Sequence, residues 1–225
     1  MDRNNPIAAH LALFIVGAIY AGNYVVAKGI MPDVVGPSGF IVLRVVGGSA
    51  MFLLTMALTG FFNRERRIFE KIDRQDWWRF IVCGLTGVAI NQLCFFNGLS
   101  LTSPINASLI MTITPIFVLL VSSVLLGSII TKRKLFGIFI GGVGAAMLLV
   151  YSAENTGSDN LSGSSMLGDT FILINALSYG IYLVVAKPLM KKYKPLTVVT
   201  WVFIIGTVFV IPVGWDQTTQ ILWSD

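Results

Sequence analysis

The chain has 225 residues, of which 55% are hydrophobic and only 12% are charged, against about 25% charged residues in soluble globular proteins. A soluble domain of this size could not bury so much apolar surface. The composition therefore excludes soluble enzymes, nucleic-acid-binding domains and disulfide-stabilised secreted domains. The net charge of +5 bears on membrane topology rather than on an acidic binding partner.

Apolar stretches of about 20 residues recur along the chain with almost no charge, and each is long enough to cross a hydrocarbon core as a helix. They predict spans near residues 9–29, 38–60, 79–100, 104–126, 135–151, 168–186 and 196–214. The predicted fold is an all-α polytopic membrane protein, a helical bundle of about seven transmembrane spans.

Lysine and arginine are unevenly distributed among the segments that flank these spans. With the N-terminus inside, the inner flanks contain 14 of the 16 basic residues, and the outer segments 31–37, 101–103, 152–167 and 215–225 contain none. Basic flanks are retained on the cytoplasmic side, so the N-terminus is predicted to be cytoplasmic. The two remaining basic residues are Lys28, which is expected to extend to the membrane surface, and Arg44, within the second span.

A short motif occurs twice, once on each side of the Ser- and Gly-rich segment 152–166. Residues 20–31 read YAGNYVVAKGIM and residues 179–190 read YGIYLVVAKPLM, with six identities in twelve positions. Each copy ends the first span of its half, and an offset of five spans makes the two copies cross the membrane in opposite directions. This predicts one complete five-helix repeat at residues 8–151 and two helices of an inverted second repeat at 168–225. The alternative is a coincidence of apolar composition.

The motifs along the chain, in their order and spacing, resemble the EamA family of the drug/metabolite transporter superfamily. Besides the repeated motif, they are GPSGFIVLRVVGGSAMFLL at 36–54, NQLCFFNGLSLTSPINASLIMTITPIFVLLVSSVLLG at 91–127, LFGIFIGGVGAAMLLV at 135–150 and GDTFILINALSYGIYLVVAKPLM at 168–190. The resemblance implies a multi-pass secondary transporter in the cell (plasma or inner) membrane. Such a protein would move small metabolites or drug-like solutes by alternating access between two inverted five-span repeats, with efflux as the expected direction.

Two features depart from this family pattern. Ser128 follows Leu-Leu-Gly where family members commonly have an acidic residue. The second repeat contains two of its five spans, so we expect either a fragment of a longer transporter or a natural truncation.

Polar side chains within spans are costly in hydrocarbon, so they are expected to face the bundle interior or a wet cavity. Helical spacing places Tyr20 with Asn23 on one face of the first span, and Asn175, Tyr179 and Tyr182 on one face of the sixth. The repeat alignment matches Tyr20 to Tyr179. The candidate substrate-binding residues are Tyr20, Asn23, Arg44, Asn91, Gln92, Thr112, Pro115, Asn175, Tyr179 and Tyr182. The alternative is that these groups bond one another between helices and fix packing only.

Two of these residues have specific alternatives. Arg44, about two helical turns into its span, either extends to the surface or bonds carbonyls at a helix end, or provides a fixed charge that favours carboxylate-bearing solutes. Pro115 cannot donate a hydrogen bond to the carbonyl of Met111, which leaves that oxygen for a neighbour, water or substrate.

The sequence contains no His/Cys cluster for a metal, no Walker P-loop and no nucleophile motif, so we expect no enzyme activity, catalytic residue, cofactor or metal. The expected partners are a small-molecule solute and the lipid bilayer, without nucleic acid, and homodimerisation stays open. An alternative function is a truncated, non-transporting membrane scaffold or regulatory protein. It would associate through small-residue faces such as Gly137 and Gly141 in the fifth span and Gly17 with Ala21 in the first.

Overall fold

The computed structural model describes residues 6–31, 35–62, 70–127, 131–155 and 166–220. The helices within these ranges are α1 (Pro6–Ile30), α2 (Pro37–Phe62), α3 (Trp77–Gly84), α4 (Ile90–Leu101), α5 (Pro104–Met111), α6 (Thr114–Leu126), α7 (Lys132–Asn155), α8 (Met166–Lys192) and α9 (Pro195–Thr219). Six helical segments are long and apolar enough to cross a membrane, at residues 10–30, 37–60, 74–101, 104–126, 166–192 and 195–219. Helix α7 is a further helix of 24 residues. The predicted polytopic helical membrane fold is confirmed.

The third predicted span is a helix of changing geometry. A 3₁₀ turn at Arg74–Asp76 leads into α3, and a π-helical turn at Leu85–Ala89 joins α3 to α4. The amide of Ile90 donates to the carbonyl of Leu85, five residues back. A π turn widens the helix locally and is frequent at functional sites.

The fourth predicted span is broken into two helices. Helix α5 ends at Met111 and α6 begins at Thr114, with Pro115 in its first turn. Proline lacks the amide that would continue the ladder of hydrogen bonds. The hydroxyl of Thr114 donates to the carbonyl of Met111 at 2.7 Å. The oxygen that the sequence was expected to leave for a neighbour, water or substrate therefore has a partner one turn away.

Helices α8 and α9 pack against the first part of the chain through paired glycines. Helix α8 contacts α4 and α6, and α9 contacts α2 and α3. A Cβ atom on Gly168 would lie 3.1 Å from the carbonyl oxygen of Gly98, and one on Gly84 would lie 3.1 Å from the amide nitrogen of Gly206. These distances require glycine because the two backbones touch.

The small-residue faces predicted in the first and fifth spans do not make such contacts. A Cβ atom on Gly17, Gly137 or Gly141 would meet nothing within 4 Å. Much of α1 is exposed as well, including Leu13 at 68% and Phe14 at 75%. Within the described ranges these glycines therefore have no packing partner, because glycine spacing permits a close contact without supplying the partner helix.

At two helix ends, main-chain groups form hydrogen bonds with side chains that are distant in sequence. Gln217 Oε1 on α9 accepts from the amides of Ser38 at 2.8 Å and Gly39 at 3.2 Å, in the first turn of α2. Lys28 Nζ donates to carbonyls at the end of α4, those of Leu99 at 2.7 Å, Ser100 at 2.9 Å and Thr102 at 3.1 Å. Such groups have no partner within their own helix. Lys28 therefore caps another helix, whereas it was expected to extend to the surface.

An ionic cluster connects the start of α3 to the turn between α8 and α9. Asp76, which is 3% exposed, accepts from Arg79 at 2.8 Å, Lys192 at 2.6 Å and the Tyr193 hydroxyl at 2.8 Å. Lys192 also pairs with Asp73 at 2.6 Å. The buried carboxylate holds groups from both parts of the chain at one end of the bundle.

Replacing Gly206 with leucine is expected to lower the free energy of unfolding by about 1–3 kcal/mol, the usual effect of overpacking. The new Cβ would fall on the side chain of Val88. Unfolding followed in detergent micelles measures the effect. Gly141→Leu is the matched control, because a Cβ there meets nothing within 4 Å. Equal destabilisation by both variants would contradict the packing described.

Replacing Asp76 with asparagine is expected to destabilise the chain by roughly 1–3 kcal/mol, because hydrogen bonds to a charged group are lost within a buried network. The same unfolding measurement applies. Asp216→Asn is the control, since Asp216 is an exposed residue near the end of α9. An unchanged stability in Asp76→Asn would show that the ionic cluster does not hold the bundle.

Candidate functional site

A cavity of about 130 Å³ lies between α8 and the first part of the chain. Its lining residues come from α1, α2, α4, α5 and α8, and they are Asn23, Arg44, Asn91, Gln92, Phe95, Phe96, Met111, Asn175 and Tyr179. Six of the ten candidate residues chosen from sequence are among them: Asn23, Arg44, Asn91, Gln92, Asn175 and Tyr179. We call this space the central cavity.

Arg44 supplies the positive charge of the central cavity. Its Nη1 donates to Asn23 Oδ1 at 2.9 Å, and its guanidinium carbon lies 5.1 Å from the centre of the Phe96 ring. The bond and the ring contact orient the planar group from two sides. The predicted spans contain no acidic residue apart from Asp169 at the beginning of the sixth. The cavity therefore has a positive electrostatic character.

Asn91, Gln92 and Asn175 bring amide groups to the same space. Asn91 and Gln92 lie in the first turn of α4, directly after the π-helical turn. Asn175 Nδ2 donates to the main-chain oxygen of Asn91 at 2.7 Å. This hydrogen bond joins α8 to α4. The other polar atom of the Asn175 side chain, Oδ1, is buried and has no hydrogen-bond partner among the described residues.

Two tyrosines of α8 stack beside the cavity. The rings of Tyr179 and Tyr182 are 5.8 Å apart with an angle of 29° between their planes. Only Tyr179 is among the residues that line the cavity. The ring of Tyr182 lies instead against Gly87 of the π-helical turn, where a Cβ atom would collide with it.

Two other candidate residues lie away from the cavity. Thr112 and Pro115 are exposed, and the Thr112 hydroxyl bonds the carbonyl of Leu109 at 2.6 Å. Both lie on the exposed side of α5–α6, whereas the neighbouring Met111 lines the cavity, so this span presents a different side to the cavity from the one expected. Tyr20 lies on α1, but its side chain is outside the part of the chain that the structure describes.

Sequence analysis missed the apolar side of the cavity. Phe95, Phe96 and Met111 line it, and Phe95 and Phe96 pack edge-to-face at 5.0 Å. A signal was available for the two phenylalanines, because each follows Asn91 or Gln92 by four residues and so shares a helical face. Met111 has no comparable signal, since its position depends on the end of α5.

A second groove, of about 580 Å³, lies between α3, α6 and α8. Apart from Arg79, which is already bound to Asp76, its lining is apolar or aromatic. Within the described ranges, no group of three or more His, Cys, Asp or Glu side chains could hold a metal ion. The central cavity, with a cation, amides and aromatic rings converging on a small volume, is the candidate binding site.

Comparison with known proteins identifies the family of the chain. The sequence model of the EamA-like transporter family matches residues 7–150 and 166–225. Among curated proteins, an uncharacterized transporter of Archaeoglobus fulgidus is 25% identical over 203 residues, which is 90% of this chain and 65% of that protein. The uncharacterized transporter YyaM of Bacillus subtilis is 30% identical over 142 residues, 63% of this chain and 45% of that protein. No solved structure matches the chain significantly.

A further relative has a more specific name, the probable terminal-alkyne amino-acid exporter of Streptantibioticus cattleyicolor. It is 30% identical over 131 residues, 58% of this chain and 41% of the exporter. The chain thus spans 41–65% of the length of these three relatives. The apolar helices suit a multi-pass membrane protein, and the family match shows that the chain belongs to the EamA-like transporter family.

Proposed function

We propose that the chain forms the solute path of a secondary transporter that moves small carboxylate-bearing solutes out of the cell. The proposal includes alternating access, a cell-membrane location with the N-terminus in the cytoplasm, and two inverted repeats at residues 8–151 and 168–225. The observation that carries it is Arg44 in the central cavity, bonded to Asn23 at 2.9 Å and beside the ring of Phe96.

An arginine within a membrane span is costly and is retained where it binds or conducts. The planar guanidinium recognises a carboxylate well because it donates from a rigid fork. Asn91, Gln92 and Tyr179 provide further polar groups around the cavity, and Phe95 and Met111 provide an apolar wall. This arrangement suits a solute with one anionic end and a small apolar body.

The size of the cavity limits the solute. A volume of about 130 Å³ is below the 300–1,000 Å³ of drug-sized pockets and close to a cavity of about 150 Å³ that admits benzene. Small carboxylic acids therefore fit better than larger drug-like molecules. The relative named as a probable amino-acid exporter supports the carboxylate class and the outward direction.

Replacing Arg44 with glutamine is expected to reduce transport of small carboxylates about ten- to a hundredfold, because charge-assisted hydrogen bonds are lost. Uptake of radiolabelled lactate, alanine and propionate into liposomes that contain the full chain measures it, with protein-free liposomes as the blank. Arg44→Lys keeps the charge without the planar fork and is expected to be intermediate. Lys191→Gln, at an exposed position of α8, is the control. Unchanged uptake in Arg44→Gln would contradict the proposal.

Alternating access predicts that one cavity position is reached by water from both sides of the membrane. In a Cys94→Ala background, Gln92→Cys is expected to react with a membrane-impermeant thiosulfonate added to either side, and carboxylate solutes are expected to slow the reaction. Thr112→Cys is the control, since Thr112 lies on the exposed surface of α5–α6 and a thiol in lipid does not ionise readily. Reaction of Gln92→Cys from one side only would contradict alternating access.

One observation favours the alternative of a non-transporting scaffold. A Cβ atom on Gly137 or Gly141 of α7 would meet nothing within 4 Å in the described chain, and faces of small residues mediate association between membrane helices. A homodimer or another membrane protein could occupy this face of α7. If the purified chain bound no carboxylate but formed a stable complex that Gly141→Leu abolished, the scaffold function would replace transport.

A further inference from the structure

Asn175 has a buried side-chain amide, of which one polar atom has a hydrogen-bond partner and the other has none among the described residues. The residue is 1% exposed, and Nδ2 donates to the main-chain oxygen of Asn91 at 2.7 Å. If the amide were flipped, Oδ1 would face the main-chain oxygen of Asn91, and neither atom could donate. The nitrogen is therefore correctly assigned to the position next to Asn91. Oδ1 is then the atom that has no donor among the described residues.

An unmatched buried acceptor is uncommon, and each case calls for an explanation. The nearest hydroxyl on the same helix does not supply one, because Ser178 Oγ donates to the main-chain oxygen of Asn175 at 2.8 Å. Asn175 lines the central cavity together with Arg44. Arg44, a strong donor, and Asn175, whose Oδ1 lacks a donor among the described residues, thus line the same cavity.

We infer that Asn175 Oδ1 recognises a hydrogen-bond donor on the solute, so that the solute is a small carboxylic acid with an ammonium or hydroxyl group near its carboxylate. The inference rests on the proposed function, in which Arg44 binds the carboxylate. A cavity of about 130 Å³ is only a few heavy atoms wide, so the two groups of the solute must be close together.

The recognition involves a small movement of the cavity wall. Oδ1 has almost no accessible surface in this conformation, and a solute reaches it when neighbouring side chains change rotamer. Tyr179, one helical turn further along α8, shares the face of Asn175 and also lines the cavity. The inference therefore includes a rotation of the Tyr179 ring that exposes Oδ1 to the cavity.

Three acids with the same carbon skeleton test the inference. Propionate has no donor beside its carboxylate, lactate has a hydroxyl and alanine has an ammonium. Equilibrium binding of each radiolabelled acid is measured on the full chain in lipid nanodiscs at neutral pH. We expect lactate, alanine or both to bind about tenfold more tightly than propionate, the gain from one hydrogen bond. The order of lactate and alanine identifies which donor the site prefers.

Asn175→Leu is expected to reduce this preference to about one, whereas loss of a merely structural group would weaken all three acids alike. Asn175→Asp retains the acceptor and adds charge, so it is expected to favour alanine over lactate and gives a second variant if leucine prevents folding. Asn97→Leu is the matched control, because Asn97 on α4 bonds Leu93 and Ser38 and is not a lining residue of the cavity.

The outcomes separate the two proposals. Equal binding of the three acids by the natural chain, with binding still dependent on Arg44, would overturn the role of Asn175 and leave the proposed function standing. A preference that persists in Asn175→Leu would also overturn it. Binding of none of the acids would overturn both proposals.

Discussion

The close approach of α8 and α9 to α3 and α4 is the contact on which the rest of the bundle depends. Lipid is as apolar as leucine, so helices associate in a membrane through packing and hydrogen bonds rather than through the hydrophobic effect. Gly98 with Gly168, and Gly84 with Gly206, allow the backbones to touch. A polar bond then forms across the same interface, from Asn175 to Asn91 at 2.7 Å, and another joins α9 to α2, between Ser49 and Thr207 at 2.8 Å.

Two interruptions of helical geometry define where the central cavity lies. The π-helical turn ends at Ala89, directly before Asn91 and Gln92, and α5 ends at Met111, which is itself a lining residue. Irregular backbone within a membrane requires alternative partners for its polar groups. The Thr114 hydroxyl supplies one for Met111. The breaks thus determine which side chains face the cavity while the backbone stays satisfied.

Charge is arranged differently in the two polar regions. In the ionic cluster, carboxylates and cations neutralise one another, with Asp76 at its centre. Around Arg44, the amide of Asn23 and the ring of Phe96 orient the cation without neutralising it. The first arrangement stabilises an end of the bundle, and the second is suited to attract an anion.

The sequence by itself determined the helical membrane fold, the approximate bounds of most apolar segments, the family, and six of the residues that line the cavity, because hydropathy and helical period are local properties. Only the tertiary structure decided which polar faces converge, since Asn175 and Asn91 are 84 positions apart. It also placed Thr112 and Pro115 on the exposed side of α5–α6, because the rotation of a membrane helix about its own axis is set by packing against its neighbours. Likewise, Gly141 has the same local signal as a packing glycine, and only the position of a partner helix distinguishes it from Gly206.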